Sequence, residues 1–113
     1  MTVSEVLAAI SAGKSLAGED LSGLDLSGQD LSGQNLSKAN LSGANLKECN
    51  LQGADLRDAN LKESDISYAN LRDVDFRGAK LARANLTRSD RTGAKIRVWA
   101  MKKAYIAGAT AYR

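Results

Sequence analysis

Large apolar residues recur at every fifth position over the middle of this chain. They are Leu21, Leu26, Leu31, Leu36, Leu41, Leu46, Leu51, Leu56, Leu61, Ile66, Leu71, Phe76, Leu81 and Leu86, with no insertion between them. Two residues before each stands a small one through most of the run: Ala39, Ala44, Cys49, Ala54, Ala59, Ser64, Ala69, Ala79 and Ala84. Asp or Asn separates the small residue from the large one in nearly every unit. A polar residue, often Ser, follows the large one, and then often Gly. A period of five fits neither a helix of about 3.6 residues per turn nor a flat strand that alternates every two. Within one unit alternation does hold, so the small and large residues face inward and the Asp or Asn between them faces out. The next two residues must both face outward while the chain turns a corner. Gly tolerates the bent backbone there, and Ser can bond local groups. Repeated corners wind the chain into a coil whose turns stack roughly 4.8 Å apart, with backbone groups paired from turn to turn. A narrow core filled from every side has room for one large residue per side, which explains the small partner.

Units such as Ala39-Asn40-Leu41-Ser42-Gly43, Ala44-Asn45-Leu46-Lys47-Glu48 and Ala54-Asp55-Leu56-Arg57-Asp58 recur in phase. On these units the chain resembles the pentapeptide-repeat proteins, in particular small members of cyanobacterial type. The resemblance implies an all-β solenoid: a right-handed quadrilateral β-helix of four to five coils, four units and twenty residues to each. It also implies contact with another protein, and no catalysis.

The flanks complete the picture. Thr2 with Glu5 three residues on has the capping-box pattern, and Val3, Val6, Leu7 and Ile10 share one face of a short helix that Gly13 would stop. A solenoid needs its first coil covered. The chain is therefore read as a capping helix over 1–13, a repeat coil over 14–98 and a terminal coil or cap over 99–113. The first coil carries Glu19, Leu24, Gln29 and Gln34 at the small position, where nearness to the cap leaves more room. Arg91 breaks the run at a large position. Trp99, too big for a closed coil at its place, could lie over the open end as a lid, and Val98, Met101, Tyr105 and Tyr112 would also suit a short helix.

Charge is uneven along this rod. Residues 1–55 hold three Lys and seven acids, a balance of −4, and residues 56–113 hold thirteen Lys and Arg and six acids, a balance of +7. Counting by twenty puts Arg57, Arg77 and Arg97 in one exposed column, with Asp55 and Asp75 on the same side. Lys80, Arg83, Lys102 and Lys103 lie around the next corner. Arg57, Arg77, Arg97, Asp55 and Asp75 form the candidate partner surface.

No chemistry of catalysis is expected. The chain has no His, and its one Cys, Cys49, falls in a small inward slot where it reads as buried and inert. A thin filled prism offers no cavity in which a carboxyl could be desolvated. Gly13-Lys14-Ser15 imitates the end of a phosphate loop, but it follows a helix and lacks the first Gly. No catalytic, cofactor or metal site is assigned, and no apolar run approaches the ~20 residues of a membrane span.

The function expected is a scaffold that binds an unidentified protein through a flat side. The chain is taken as monomeric or weakly dimeric through a solenoid end, in the cytoplasm unless a removed leader addressed it to the periplasm or thylakoid lumen. Family members that protect or inhibit DNA gyrase by mimicking DNA supply an alternative, which a net positive chain serves poorly. The other alternative is polyanion binding by the basic half. Nucleic acid fits it badly, since carboxylates interleave the arginines.

Overall fold

The computed structural model describes residues 1–97, 100, 102 and 104–107. Helix α1, Val3–Ser11, begins at a complete capping box. The Thr2 hydroxyl accepts the Glu5 N–H at 3.1 Å, and the Glu5 carboxylate accepts the Thr2 N–H at 2.8 Å. Gly13 ends it in the left-handed region at φ 70°. There the Lys14 N–H reaches Ala9 O at 2.9 Å and the Gly13 N–H reaches Ile10 O at 3.0 Å, the paired closure of a Schellman stop. Val6 is buried under the helix, with Val3, Ala9 and Ile10 packed at its edge. The face is narrower than the sequence pattern expects: Leu7 stands 36% exposed. It lies one position, about a quarter turn, beyond Val6, off the line that Val3 and Ile10 complete.

After α1 the chain winds into coils of twenty residues. Single-residue parallel bridges join each turn to the next at that offset, from Asp20 with Asn40 to Asp75 with Lys95, and on to Asn85 with Tyr105. Each coil has four corners, and the residue at every corner from Gly18 to Gly93 has positive φ. The large residues therefore fall in four columns. The first side holds Leu16, Leu36, Leu56, Phe76 and Ile96, and the second Leu21, Leu41, Leu61 and Leu81. The third holds Leu26, Leu46, Ile66 and Leu86, and the fourth Leu31, Leu51, Leu71 and Arg91. All are buried, and those from Leu36 to Leu86 are at most 2% exposed. Ser64 and Ser89, in small inward slots, satisfy their hydroxyls by donating to Leu61 O and Leu86 O, each at 2.7 Å. Around the first coil Glu19 is exposed and Leu24, Gln29 and Gln34 are half-buried.

One unit shows why the sequence takes this form. In Leu41 to Asn45, Leu41 donates to Asn60 O, Gly43 to Lys62 O and Asn45 to Leu24 O, which ties the unit to the coils on both sides. Ala44 donates back to Leu41 O and closes the corner. That leaves the Ser42 N–H, which has no backbone partner, and the side chain of Asn40 accepts it at 3.1 Å. A backbone donor left unpaired beside a packed coil is costly, so the Asp or Asn of the unit acts as a turn builder. The same bond recurs at every unit from Asp20 to Asp90 except at Lys80. Where Ser or Thr follows, its hydroxyl donates to the same Oδ1, as Ser22 does to Asp20 at 2.7 Å. The sequence reading places these acids and amides outward, with Asp55 and Asp75 on the partner surface, and does not foresee this turn bond.

The molecule measures 34 × 23 × 22 Å. Pairing goes on past Ile96: the Leu86 N–H donates to Tyr105 O at 2.6 Å. The expectations placed on Val98, Trp99, Met101, Lys103 and Tyr112 lie outside the described residues.

Candidate interaction surface

The first side brings together four of its five expected residues as two forks. Arg57 grips Asp55 two residues back, Nε to Oδ1 at 2.9 Å and Nη2 to Oδ2 at 2.8 Å. Arg77 grips Asp75 likewise, at 2.9 and 2.6 Å. Each carboxylate already accepts the backbone N–H of the same arginine, so one acid both builds the corner and orients the guanidinium. The bond from its arginine holds each Asp below the ordinary carboxylate range and raises the arginine in turn. Between coils the contact is looser, with Arg57 Nε 3.9 Å from Asp75 Oδ2. Arginine side chains here remain 52% and 56% exposed, so the forks stabilise the fold little.

Arg97 does not make a third rung. Where Asp55 and Asp75 stand, the next coil has Lys95, and among the described residues no carboxylate lies in ion-pair range of Arg97 or Lys95. Closer ionic ties between coils sit elsewhere. Arg72 reaches Asp90 at 2.7 Å on the fourth side, and Arg83 reaches Glu63 at 3.3 Å at a corner. Reading columns in steps of twenty finds the second pair and misses the first, whose partners are eighteen apart. Tyr68 was also overlooked. It is 54% exposed on a corner with φ 59°, and Lys47 Nζ lies 5.7 Å from the centre of its ring. An aromatic held at a left-handed corner in water is the signal that marks it.

Cys49 is buried, its Sγ donating to Leu26 O at 2.8 Å, and burial pushes its thiol up to about 11. Among the described residues no three of His, Cys, Asp and Glu converge as metal ligands, and no helix is long and apolar enough to cross a membrane.

Among the described residues the prism is not solid throughout, contrary to the sequence expectation. A cleft of about 660 Å³ is lined by the fourth coil's corner at 76–82 together with Lys62, Arg97, Ala100 and Lys102. Its floor is apolar, with Phe76, Ala79 and Leu81, and its rim is Lys62, Arg77, Lys80, Arg97 and Lys102. Its described lining supplies cations and no carboxylate, thiol or hydroxyl, so it attracts anions.

A family model for pentapeptide repeats matches eight copies, over residues 16–58, 39–78, 54–90 and 64–97. The chain belongs to the pentapeptide-repeat family. Among solved structures, this pentapeptide-repeat protein is similar to one from the Arabidopsis thaliana thylakoid lumen, at 37% identity and a TM-score of 0.70. That match covers 83% of this chain and 62% of the Arabidopsis one, so the chain spans less than two thirds of that relative's length. It is also similar to a pentapeptide-repeat protein of the cyanobacterium Cyanothece 51142, at 20% identity and a TM-score of 0.55, over 99% of this chain and 96% of the other. These likenesses imply the right-handed quadrilateral β-helix. Comparison with curated proteins gives no match.

Proposed function

We propose that this protein is a non-catalytic scaffold of the cytoplasm that binds a partner protein through its first side. The observation that carries the reading is the pair of forks, Asp55 with Arg57 and Asp75 with Arg77. Each guanidinium is already oriented by its own corner, on a backbone that cannot give way without unstacking a coil. Fixing side chains before contact removes much of the ordering cost of association, and arginine is a preferred anchor in interfaces. A flat side with two aligned forks suits a partner surface offering carboxylates or backbone carbonyls at matching spacing. Arg97 extends the patch as an uncompensated cation.

The alternative of DNA mimicry asks for continuous negative potential along the rod. On this side each acid is bonded by an arginine, and the second half of the chain is basic. Polyanion binding draws some support from the cleft rim, which lies at the basic end.

Affinity capture from a lysate of the source cell tests the reading, with Arg57→Ser/Arg77→Ser/Arg97→Ser as the control. A partner retained by the natural protein and lost with the triple variant supports the first side. Equal recovery of every partner by both forms removes it.

A further inference from the structure

One edge of the rod carries a series of groups that is complementary to itself when reversed. Between the third and fourth sides the corner residues, one coil apart, are Gly28, Glu48, Tyr68 and Arg88. The Glu48 N–H donates to Ser67 O and the Tyr68 N–H to Thr87 O, each at 2.9 Å, which fixes this column coil on coil. Glu48, Tyr68 and Arg88 hold the left-handed corner at φ 61°, 59° and 57°, a conformation that Gly takes without strain.

Bulky corners elsewhere are mostly occupied within the chain. Asp58 and Asp73 lie against Gly78 and Gly93, and Glu63 is bonded by Arg83. On this edge Glu48 and Arg88 are exposed, and among the described residues neither has an ion-pair partner. Tyr68 separates them. It is half-exposed, and no other large hydrophobic among the described residues from 8 to 104 is exposed. Lys47 Nζ stands over its ring and leaves the rest of the side chain to water.

From this edge we infer that the protein pairs with a second copy of itself, corner against corner, with the two rods antiparallel. The order along the column, acid then aromatic then cation, sets the direction. A two-fold axis crossing the rods at Tyr68 lays ring beside ring and puts Glu48 of each copy opposite Arg88 of the other. Parallel rods would oppose Glu48 to Glu48 and Arg88 to Arg88, a repulsion that low salt leaves unscreened. Flanking columns fit the antiparallel order. On the third side Lys47 meets Thr87 and Ser67 meets Ser67. On the fourth Asn50 meets Asp90 and Asn70 meets Asn70, so like charges are nowhere opposed in these columns. Three columns over three coils make a strip on the order of 10 by 15 Å. That is well short of the ~800 Å² per partner of a standard interface, so the association is weak and reversible. A two-fold contact uses the same patch on both copies and closes at two.

Sedimentation equilibrium of the full chain tests this at ~20 mM NaCl, where screening is slight, with ~10–1000 µM protein. The weight-average mass is expected to rise from 12.0 kDa with concentration and to level at two chains. Glu48→Arg alone sets two cations against each other, and Arg88→Glu alone sets two acids; each should weaken the association at least about tenfold. Glu48→Arg/Arg88→Glu reverses both partners together and should restore it, a recovery that a role within one chain would not give. Tyr68→Gly, which suits the corner, should hold the chain at one copy. Circular dichroism checks that every variant is folded. A natural protein that is monomeric at every concentration overturns the inference, as does one whose mass passes two chains. Failure of the double reversal to restore pairing overturns it as well. If such a monomer captures another protein through Tyr68, the edge belongs to that partner and self-pairing is rejected. The first side takes no part in this contact, so the two readings stand or fall separately.

Discussion

The Asp58 carboxylate lies against Gly78, one coil further along the same corner column, in the space that a Cβ on Gly78 would occupy. Gly78 has φ 78° and Asp58 has φ 60°, so both hold the left-handed corner. Asp73 stands in the same relation to Gly93, whereas the Cβ of an alanine at Gly43 would meet nothing. Corners of the coil thus differ in what they tolerate, although the repeat makes them look alike.

Gly43→Ala should therefore cost only the left-handed backbone term, about 1 kcal/mol, and Gly78→Ala about 1 kcal/mol more. Removing the obstacle tests the difference. In urea unfolding, Asp58→Ala/Gly78→Ala should recover most of the extra cost of Gly78→Ala. If the two substitutions simply add, the carboxylate does not occupy that space.

The corner bonds make stability depend on acid. Asp20, Asp25 and Asp30 are held below the ordinary carboxylate range, first by the serine hydroxyl and then by the backbone N–H that each accepts. Asp55 and Asp75 are held low chiefly by their arginines, and Asp90 by Thr92. A carboxyl whose pKa is lower folded than unfolded stabilises the fold above its unfolded pKa, and loses that contribution as pH falls through the folded one. The melting temperature should stay level from about pH 7 down to about 5, then fall steeply below about 4. The slope should be shallower in Asp20→Asn/Asp25→Asn/Asp30→Asn, because an amide keeps the acceptor and does not titrate. An unchanged slope would remove these three from the acid response.

Lys80 stands at the one unit between Asp20 and Asp90 whose turn has no side-chain acceptor for the N–H two residues on. Lys80→Asn supplies one. The expected gain is about 0.5–1 kcal/mol by thermal or urea unfolding, the net value of one partly buried hydrogen bond. A loss of stability would mean that the lysine has a structural part of its own there.

Much of this architecture is written in the leucines. Five-residue spacing places Leu36 through Leu86 inward, and the coil follows, because a strictly periodic backbone can bury all of them only by closing on itself. Roles set by single hydrogen bonds are less visible. Asn40 and Asp55 look alike as polar outward residues, and only the unpaired N–H of the corner reveals what both do. A signal was present, since Lys80 breaks an otherwise regular run of Asp and Asn. The charged column was half readable: Arg57 and Arg77 lie where counting by twenty puts them. Arg97 lacks its acid because Lys95 replaced it, a substitution also plain in the sequence but passed over. The cleft was not legible, because it depends on where the chain goes after the repeat loses its regularity at Arg91. Tyr68 stands at a corner that Gly often fills elsewhere, and nothing in the repeat itself marks it.

The role given to the first side rests on a single affinity comparison. Once a partner is in hand, calorimetric titration should be run on the natural protein and on Arg57→Ser/Arg77→Ser, both checked for intact folding. Loss of both forks should weaken binding at least about tenfold, the effect of ~1.4 kcal/mol at an interface anchored by oriented arginines. Equal affinity in the two proteins would contradict the account and move the partner to another surface.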